Sequence, residues 1–328
     1  MLQMRFRRRF AVLFLLLAVL LSACSSQTGE PSGGSSRPAG STDSRSEISL
    51  IESVTSADEE AVTYVTCTEE DLHRGNLLLV NRSHAYDASL CAGEITSVRA
   101  SRVSDIQEGT YQLPIGGTLL QALEAMQADL RKAMNDNVCL LVNDSYRSAE
   151  TQQATIDEYL ELYGQAYVDQ YVAPVGRSEH HTSLAVDFSF YEPSNGTVMA
   201  TTSAEAAAHY AWVLDNCRKY GLILRYTTEK EAVTGYRAES WHFRYVGRPH
   251  ADYIAAHGLA LEEYLQLLKG TSFEQQLSIE IDNGEKYSVY YVPAVTGGTK
   301  VPVPADKPYT LSGNNADGFI VTVTESGK

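Results

Sequence analysis

The strongest constraint on this chain is a pair of short stretches that bring metal-binding side chains from distant parts of the sequence. They are residues 178–187, SEHHTSLAVD, and residues 239–245, ESWHFRY. Within them His180, Asp187 and His242 offer two imidazoles and one carboxylate. Three such ligands with one position left open are the donor set of a catalytic zinc site, whereas a structural site uses four protein ligands. The fold must therefore bring the two stretches together.

The second stretch supplies a general base as well as a ligand. Glu239 precedes His242 by three residues, close enough in sequence for its carboxylate to take a proton beside the metal. On a flat strand, residues three apart point to opposite faces. We therefore predict a bulge or tight bend between Glu239 and His242.

The first stretch is predicted to be a turn that leads into a strand. A helix could also place His180 and Asp187 on one face, but Thr182 and Ser183 are polar, and apolar residues alternate from Leu184 to Phe188. Alternation of this kind is typical of a strand. Taken alone, each of these residues has an ordinary structural explanation, and their combination is what indicates a site.

The N-terminus indicates export. Four arginines between residues 5 and 9 precede an apolar run, 10–21, that is too short to span a bilayer. A basic segment followed by a short apolar segment is typical of a secretory signal. The run ends in Leu-Ser-Ala-Cys24, which resembles the lipobox of bacterial lipoproteins, in which the cysteine carries the lipid. The alternative is an ordinary signal peptide with an incidental cysteine.

Composition divides the remainder of the chain. We predict a signal peptide over 1–23, a flexible Ser/Gly-rich tether over 24–47, a catalytic domain over 48–272 and a β extension over 273–328. The formal charge of -15 argues against a nucleic-acid partner, because such proteins cluster Lys and Arg. The expected location is extracytoplasmic, with a lipid anchor in the bacterial cell membrane.

Hydrophobic periodicity predicts an α+β fold. Buried strands are predicted at 77–80, 138–142, 222–226 and 241–246. Helices are predicted from Thr118 as N-cap to residue 134, over 149–167, over 203–217, and from Pro249 to residue 268. Beyond residue 273 several short alternating runs separated by Gly, Asn and Asp predict a small antiparallel sheet.

The two stretches and a third segment resemble a known enzyme family. Residues 178–187 resemble the SxHxxGxAxD motif of VanY-like and VanX-like D-alanyl-D-alanine metallopeptidases, and residues 239–245 resemble their ExWHxxY motif. Tyr146-Arg147-Ser148 with Gln152 resembles their YRSxxxQ segment. The resemblance covers about residues 70–270 and is closest to the VanY-like carboxypeptidases. It implies a zinc peptidase core of the LAS or hedgehog-like type.

The resemblance also implies roles for individual residues. His180, Asp187 and His242 would bind Zn²⁺, and Glu239 would act as general base and then acid. Arg147 would stabilise the oxyanion or hold the terminal carboxylate of the substrate. Ser178, Gln152 and Tyr146 would line the substrate pocket. The implied reaction is removal of the terminal D-alanine from peptidoglycan stem peptides by metal-activated water.

Three other functions stay open at this point. An L,D-carboxypeptidase acting on tetrapeptide stems would share the motifs, and a cell-wall-binding lipoprotein could retain them in a degenerate site. In the third, the C-terminal β extension would dominate as an adhesion or partner module, with the peptidase subordinate to it. One departure from the family pattern bears on the second: Ser183 stands where the motif has Gly. If that position needs a positive φ, serine costs about 1 kcal/mol there.

The sequence also suggests environments for one histidine, one tryptophan and the cysteines. His181 could support the metal ligands from behind, but it is expected to be a solvent-exposed loop residue, and Trp241 is expected to be a core residue. Cys67, Cys91, Cys139 and Cys217 could form two disulfides in an exported protein, or remain as buried thiols. The sequence does not decide between these two states.

Overall fold

The computed structural model describes residues 62–90, 95–100 and 105–326. The predicted signal peptide, the tether, Cys24 and Cys91 lie outside these residues. In the described ranges no helix is long and apolar enough to cross a bilayer. The boundaries predicted at residues 47 and 272 stay predictions.

The described chain alternates strands and helices before ending in strands. The strands are β1 Val62–Cys67, β2 Ile95–Ser97, β3 Gln107–Glu108, β4 Pro114–Gly116, β5 Cys139–Asp144, β6 Ala185–Glu192, β7 Thr197–Met199, β8 Leu222–Tyr226, β9 Glu239–Tyr245, β10 Leu277–Glu280, β11 Lys286–Pro293, β12 Thr299–Pro304, β13 Tyr309–Gly313 and β14 Gly318–Ser326. The α-helices are α1 Gly117–Met134, α2 Ala149–Tyr163, α3 Gln165–Tyr171, α4 Ala207–Asn216, α5 Glu231–Thr234, α6 His250–His257 and α7 Leu261–Leu268.

The central sheet has the order β3-β5-β6-β9-β8, with β7 paired to β6. Only β3 and β5 run parallel, and the other pairs are antiparallel. Helix α1 presents Leu119, Leu123, Met126 and Leu130 to Leu140, Val186 and Phe188 of the sheet. These positions follow the spacing of three and four that one apolar helix face requires. The α+β prediction is confirmed.

Four C-terminal strands form an antiparallel sheet of order β10-β11-β14-β13, which confirms the predicted β extension. Strand β1 pairs with β12 beside it, and Val301 and Phe319 share one apolar cluster. On its other side, Val289 and Ile320 pack in a cluster with Tyr264 and Leu268 of α7. The C-terminal sheet and the helices that precede it therefore bury a common core.

The strand predicted at residues 77–80 is wrong, although these residues are buried. Their polar groups bond outside any sheet ladder. Leu77 N donates to Ser312 Oγ at 3.0 Å, Leu79 N donates to Asn314 O at 3.0 Å, and Arg244 Nη2 donates to Leu78 O at 2.8 Å. An apolar run signals burial, but a buried segment can also satisfy its backbone through side chains and loops.

Three predicted helices begin or end at a glycine that the prediction did not place there. Helix α1 has Gly116 and not Thr118 as N-cap, and a Cβ at residue 116 would lie 2.4 Å from Ser183 O. The helix predicted over 149–167 breaks at Gly164, which has a φ of 79°, and the helix predicted from Pro249 breaks at Gly258, which has a φ of 60°. The helix predicted from Ser203 begins at Ala207, although Ser203 Oγ accepts from Ala206 N at 3.2 Å.

The break at Gly164 is bridged by a stack of tyrosines from both helices. The ring centroids of Tyr163 and Tyr167 lie 4.7 Å apart across the break, and those of Tyr167 and Tyr171 lie 4.6 Å apart. Tyr159 joins the stack at 5.8 Å from Tyr167. Aromatic contacts at these distances hold α2 and α3 together as one layer.

The cysteines that the structure describes are reduced. Cys67, Cys139 and Cys217 are buried free thiols, and burial raises the pKa of Cys139 to about 11 and that of Cys217 to about 12. For these three residues the buried-thiol alternative holds. They act as small apolar side chains.

Candidate metal centre and active site

The two stretches meet because β6 and β9 are neighbours in the central sheet. In their antiparallel register, Asp187 lies directly opposite His242. Cross-strand partners on one face have Cβ atoms about 5 Å apart, close enough for both side chains to reach one ion. His180 arrives from the 3₁₀ turn Glu179–Thr182, which immediately precedes β6. The predicted turn leading into a strand is confirmed.

Strand β9 contains the irregularity predicted between the base and the ligand. Its pairing with β8 shifts register, since Phe243 faces Leu224 while Glu239 faces Tyr226. Strand β9 thus holds extra residues in this interval, which is the definition of a bulge. As a result Glu239 Oε2 lies 3.8 Å from His242 Nδ1.

Hydrogen bonds fix which ring nitrogen of each histidine faces the centre. His180 Nδ1 lies 2.5 Å from Ser145 O and donates to it, and His242 Nε2 lies 3.2 Å from Glu179 Oε2 and donates to it. His180 Nε2 is then left with a lone pair, and His242 Nδ1 would keep one when a metal takes the place of the proton that it shares with Asp187. They lie 3.5 Å and 2.9 Å from the Asp187 carboxylate.

This geometry fits a metal ion. The ligand atoms of His180, Asp187 and His242 all lie within 4.8 Å of one another. Zinc bonds of about 2.0–2.2 Å in a tetrahedron place ligand atoms about 3.3 Å apart. The distances from the Asp187 carboxylate to the two ring nitrogens, 3.5 Å and 2.9 Å, are close to this value. Buried His180 Nε2 also has no hydrogen-bond partner among the residues that the structure describes. Such an orphaned nitrogen calls for a ligand.

Electrostatics at the centre favour a bound cation. Burial raises the pKa of the Asp187 carboxyl, but His180 and His242 outweigh it and hold that pKa well below its usual range. Burial likewise lowers the pKa of His242, yet its hydrogen bonds to Asp187 and Glu179 raise it to about 9. The carboxylates thus stabilise positive charge at His242 Nδ1, which a divalent metal would supply in place of the proton.

Glu239 differs from the other carboxylates. It is buried, and burial is the largest cause that raises the pKa of its carboxyl to about 8, with Asp187 adding to the rise. His242 and Arg147 act in the opposite direction. A carboxyl whose pKa lies near neutrality can both accept and release a proton during a reaction.

Arg147 and Gln152 lie together beside the ligands. Arg147 Nη1 donates to Gln152 Oε1 at 2.8 Å, and its Nη2 lies 4.0 Å from Asp187 Oδ2. Its Nε lies 3.2 Å from Asp144 Oδ2. Gln152 is fully buried and donates to Ala173 O at 2.7 Å. The guanidinium is therefore held in place at the edge of the centre.

Ser178 and Tyr146 lie in the segments that carry these groups. Ser178 is the N-cap of the 3₁₀ turn, and its Oγ accepts from His180 N at 3.3 Å. Tyr146 is half-buried between Ser145 and Arg147, and its backbone N donates to Pro114 O at 3.0 Å. Trp241 is half-buried, in contrast to the core position expected of it.

The expectation for His181 is wrong. This histidine is fully buried, its Nδ1 donates to Arg147 O at 2.8 Å, and its Nε2 accepts from Gly176 N at 3.0 Å. Burial lowers its pKa, so the ring is neutral and can both donate and accept. Together with His180, which bonds Ser145 O, it fastens the turn to the segment carrying Arg147.

Sequence reasoning missed three buried charges behind the ligands. Glu179, Arg225 and Arg244 have no exposed side-chain surface, and both arginines donate to Glu179 Oε1, at 2.8 and 2.9 Å. A signal was present for Arg225, which interrupts the otherwise apolar strand Leu222–Tyr226. A charge in such a position is buried only when it is paired.

Ser183 confirms the conformational concern raised by the sequence. It has a φ of 61° in the left-handed region and forms the C-cap of the 3₁₀ turn. Its buried Oγ has no hydrogen-bond partner in the described part of the chain. The chain thus keeps the left-handed turn that glycine favours, and Ser183 adopts that conformation at a cost in strain.

Two histidines and an aspartate around one point, with a buried glutamate beside them, define a metal-dependent hydrolase. Comparison with known proteins agrees. A sequence model of the family described as VanY, D-alanyl-D-alanine carboxypeptidase, matches residues 117–248. The D-alanyl-D-alanine carboxypeptidase of Enterococcus faecium is 35% identical over 263 residues, covering 79% of this chain and 78% of that protein. A protein of the same description from Enterococcus faecalis is 32% identical over 220 residues, covering 64% and 73%.

A solved structure extends the similarity to the fold. The crystal structure of the vancomycin resistance D,D-dipeptidase VanXYg in complex with a D-Ala-D-Ala phosphinate analog has a TM-score of 0.67 and 27% identity. It covers 81% of this chain and 100% of that one. The chain therefore belongs to the VanY family of D-alanyl-D-alanine carboxypeptidases. Members of this family depend on zinc.

Replacing Ser183 with the family glycine should stabilise the protein. The substitution removes left-handed strain and a buried hydroxyl, offset in part by the extra freedom of glycine in the unfolded chain. We expect Ser183→Gly to raise the free energy of unfolding by about 1 kcal/mol, or about 2–4 °C in melting temperature. Differential scanning calorimetry measures this.

A matched control is Asn135→Gly, at an exposed left-handed position with a φ of 54°. Asparagine tolerates this conformation, so the control should change the stability by less than about 0.5 kcal/mol. A Ser183→Gly variant no more stable than the wild type would show that the turn is not strained.

Proposed function

We propose that this chain is a membrane-tethered, zinc-dependent D,D-carboxypeptidase that removes the terminal D-alanine from peptidoglycan stem peptides. The observation that supports it best is the convergence of His180, Asp187 and His242 beside buried Glu239. Family membership gives the reaction class, and the contacts of individual side chains support their separate roles.

His180, Asp187 and His242 would hold the metal through His180 Nε2, the carboxylate and His242 Nδ1. Bound zinc would supply a Lewis acid that polarises the scissile carbonyl and makes water a better nucleophile. The three protein ligands leave one position open for this chemistry. The carbonyls and carboxylates that orient the two rings keep the donor atoms in place before substrate arrives.

Glu239 would move the protons. Its carboxylate would take a proton from the attacking water and give it to the amine of the departing D-alanine as the C–N bond breaks. The bulge in β9 aims it at the same space as His242 Nδ1. Its raised pKa suits both halves of that transfer.

Arg147 would bind the anionic part of the substrate. The guanidinium is the positive group beside a centre lined by Asp144, Asp187 and Glu239, and its fork suits a terminal carboxylate or an oxyanion. Gln152 holds one of its nitrogens by a 2.8 Å hydrogen bond. Ser178 would donate to the same carboxylate, and Tyr146 would line the pocket.

Two alternatives are weaker. An L,D-carboxypeptidase would use the same metal site, but the relatives that cover most of the chain are described as D-alanyl-D-alanine carboxypeptidases. A degenerate wall-binding protein would have no reason to retain three ligands in bonding reach and a buried base beside them. Ser183 affects the turn backbone and removes no ligand.

The location would follow from the N-terminus. A basic segment, a short apolar run and the lipobox-like sequence before Cys24 support export and lipidation. A lipid on Cys24, followed by a Ser/Gly-rich tether, would hold the catalytic domain at the outer face of the membrane within reach of peptidoglycan.

Defined stem peptides test the activity. We expect the pentapeptide ending in D-Ala-D-Ala to lose one D-alanine, while the tetrapeptide stays intact, as measured by mass spectrometry. A chelator should abolish the cleavage and added zinc should restore it, because the proposed reaction needs a water molecule activated by the metal. Shortening of the tetrapeptide instead would support the L,D reaction, and no cleavage of either would support the degenerate site.

Two substitutions separate proton transfer from substrate binding. Glu239→Gln should abolish turnover, by about 10²–10⁴-fold, while zinc remains bound, because Glu239 is no ligand. Arg147→Ala should mainly raise KM with zinc also retained, because it removes the cation that faces the substrate anion. Zinc content by elemental analysis and steady-state kinetics measure both. Metal loss in the first variant, or unchanged kinetics in the second, would contradict the assigned roles.

Replacing Cys24 tests the anchor. In a bacterial host that processes lipoproteins, the wild-type chain should fractionate with membranes, and Cys24→Ser should not be lipidated because it lacks the acceptor thiol. Radiolabelled fatty acid incorporation and cell fractionation measure the difference. Equal labelling of the two proteins would show that Cys24 is not the acceptor.

A further inference from the structure

Glu179 is the carboxylate that bonds the far side of a metal-ligand histidine. It is fully buried, and its two oxygens have separate tasks. Oε1 accepts from Arg225 Nε at 2.8 Å and from Arg244 Nη1 at 2.9 Å. Oε2 is left for His242 Nε2, at 3.2 Å. The two arginines therefore decide which oxygen meets the imidazole.

The arginines are themselves immobilised. Arg225 makes a two-pronged contact with Glu262 of α7, from Nη1 to Oε2 at 2.9 Å and from Nη2 to Oε1 at 2.7 Å. Arg244 donates through Nη2 to Leu78 O at 2.8 Å and Asn76 O at 3.2 Å. Two guanidiniums and two carboxylates balance in charge, so the cluster adds no net charge behind the metal centre.

We infer that Glu179 is a positioning residue for the metal centre, which holds His242 in the tautomer that presents Nδ1 to the metal. The inference rests on the proposed role of His242 as a ligand. The Nε2–H···Oε2 hydrogen bond consumes the ring proton on the far side, so the lone pair is on Nδ1, beside Asp187 and Glu239. Because the arginines fix Glu179, its Oε2 stays in place as the acceptor that favours a proton on Nε2 over one on Nδ1.

The competing explanation is that the cluster only stabilises the fold. Glu262 provides a matched control. Replacing it with glutamine removes a carboxylate charge from Arg225, as Glu179→Gln does, but Glu262 does not contact His242. In Glu179→Gln the amide oxygen would stay with the arginines, and the amide nitrogen would face His242 Nε2 as a donor. His242 would then carry its proton on Nδ1, which blocks the lone pair needed by the metal.

We expect Glu179→Gln to weaken zinc binding by about 10–100-fold, the usual effect of losing a group that orients a ligand. Glu262→Gln should lower the melting temperature of the metal-free protein but leave the zinc Kd within about threefold of wild type. Competition with a chromophoric chelator measures the Kd, and calorimetry of the metal-free variants measures stability. Equal zinc affinity in Glu179→Gln and wild type, or an equal loss in Glu262→Gln, would overturn the inference.

A second measurement on the wild-type protein covers the case in which Glu179→Gln does not fold. Long-range ¹⁵N–¹H correlation spectra of the zinc-loaded protein with labelled histidines should show His242 protonated at Nε2 and His180 protonated at Nδ1. A His242 proton on Nδ1 would overturn the inference. Failure of the wild type to bind zinc would instead refute the proposed function, so the two failures are distinguishable.

Discussion

The site depends on the antiparallel pairing of β6 with β9. The alternation of apolar residues in 184–188 turns Val186 and Phe188 towards the helices of the core, and that leaves Asp187 on the other face, opposite His242. A slip of one residue would move Asp187 into the apolar layer and His242 away from it. The register that buries the core is therefore the register that builds the metal centre.

Buried charge is the second requirement. The centre places Asp187, Glu239 and Glu179 near one another in the protein interior, where isolated carboxylates are costly. Two arginines stabilise the Glu179 carboxylate, and two imidazoles stabilise that of Asp187. Burial instead raises the pKa of Glu239, which favours its protonated form. Glu239 is thus the carboxyl of the three whose pKa is raised, whereas Glu179 and Asp187 are held as hydrogen-bond acceptors.

The sequence predicted the parts of the site that follow from local pattern. The types and spacing of His180, Asp187, His242 and Glu239 predict a metal site with a base beside it, and the structure brings these side chains together. The bulge is predicted because two residues of β9 must turn to one side. What it could not predict depends on tertiary packing. Residues 77–80 read as a strand because burial alone was visible, and His181 read as exposed because its partners, Arg147 O and Gly176 N, belong to other segments.

The segment misread as a strand also links the C-terminal sheet to the metal centre. On one side Ser312 Oγ in β13 accepts from Leu77 N, and Asn314 O, directly after β13, accepts from Leu79 N. On the other side, the Leu78 and Asn76 carbonyls accept from Arg244, which in turn holds Glu179 behind His242. The Leu77, Leu78 and Leu79 backbone is buried, so the loss of one of these partners would leave a buried polar group unsatisfied. The C-terminal sheet thus contacts the segment that holds Arg244, without supplying a ligand to the site.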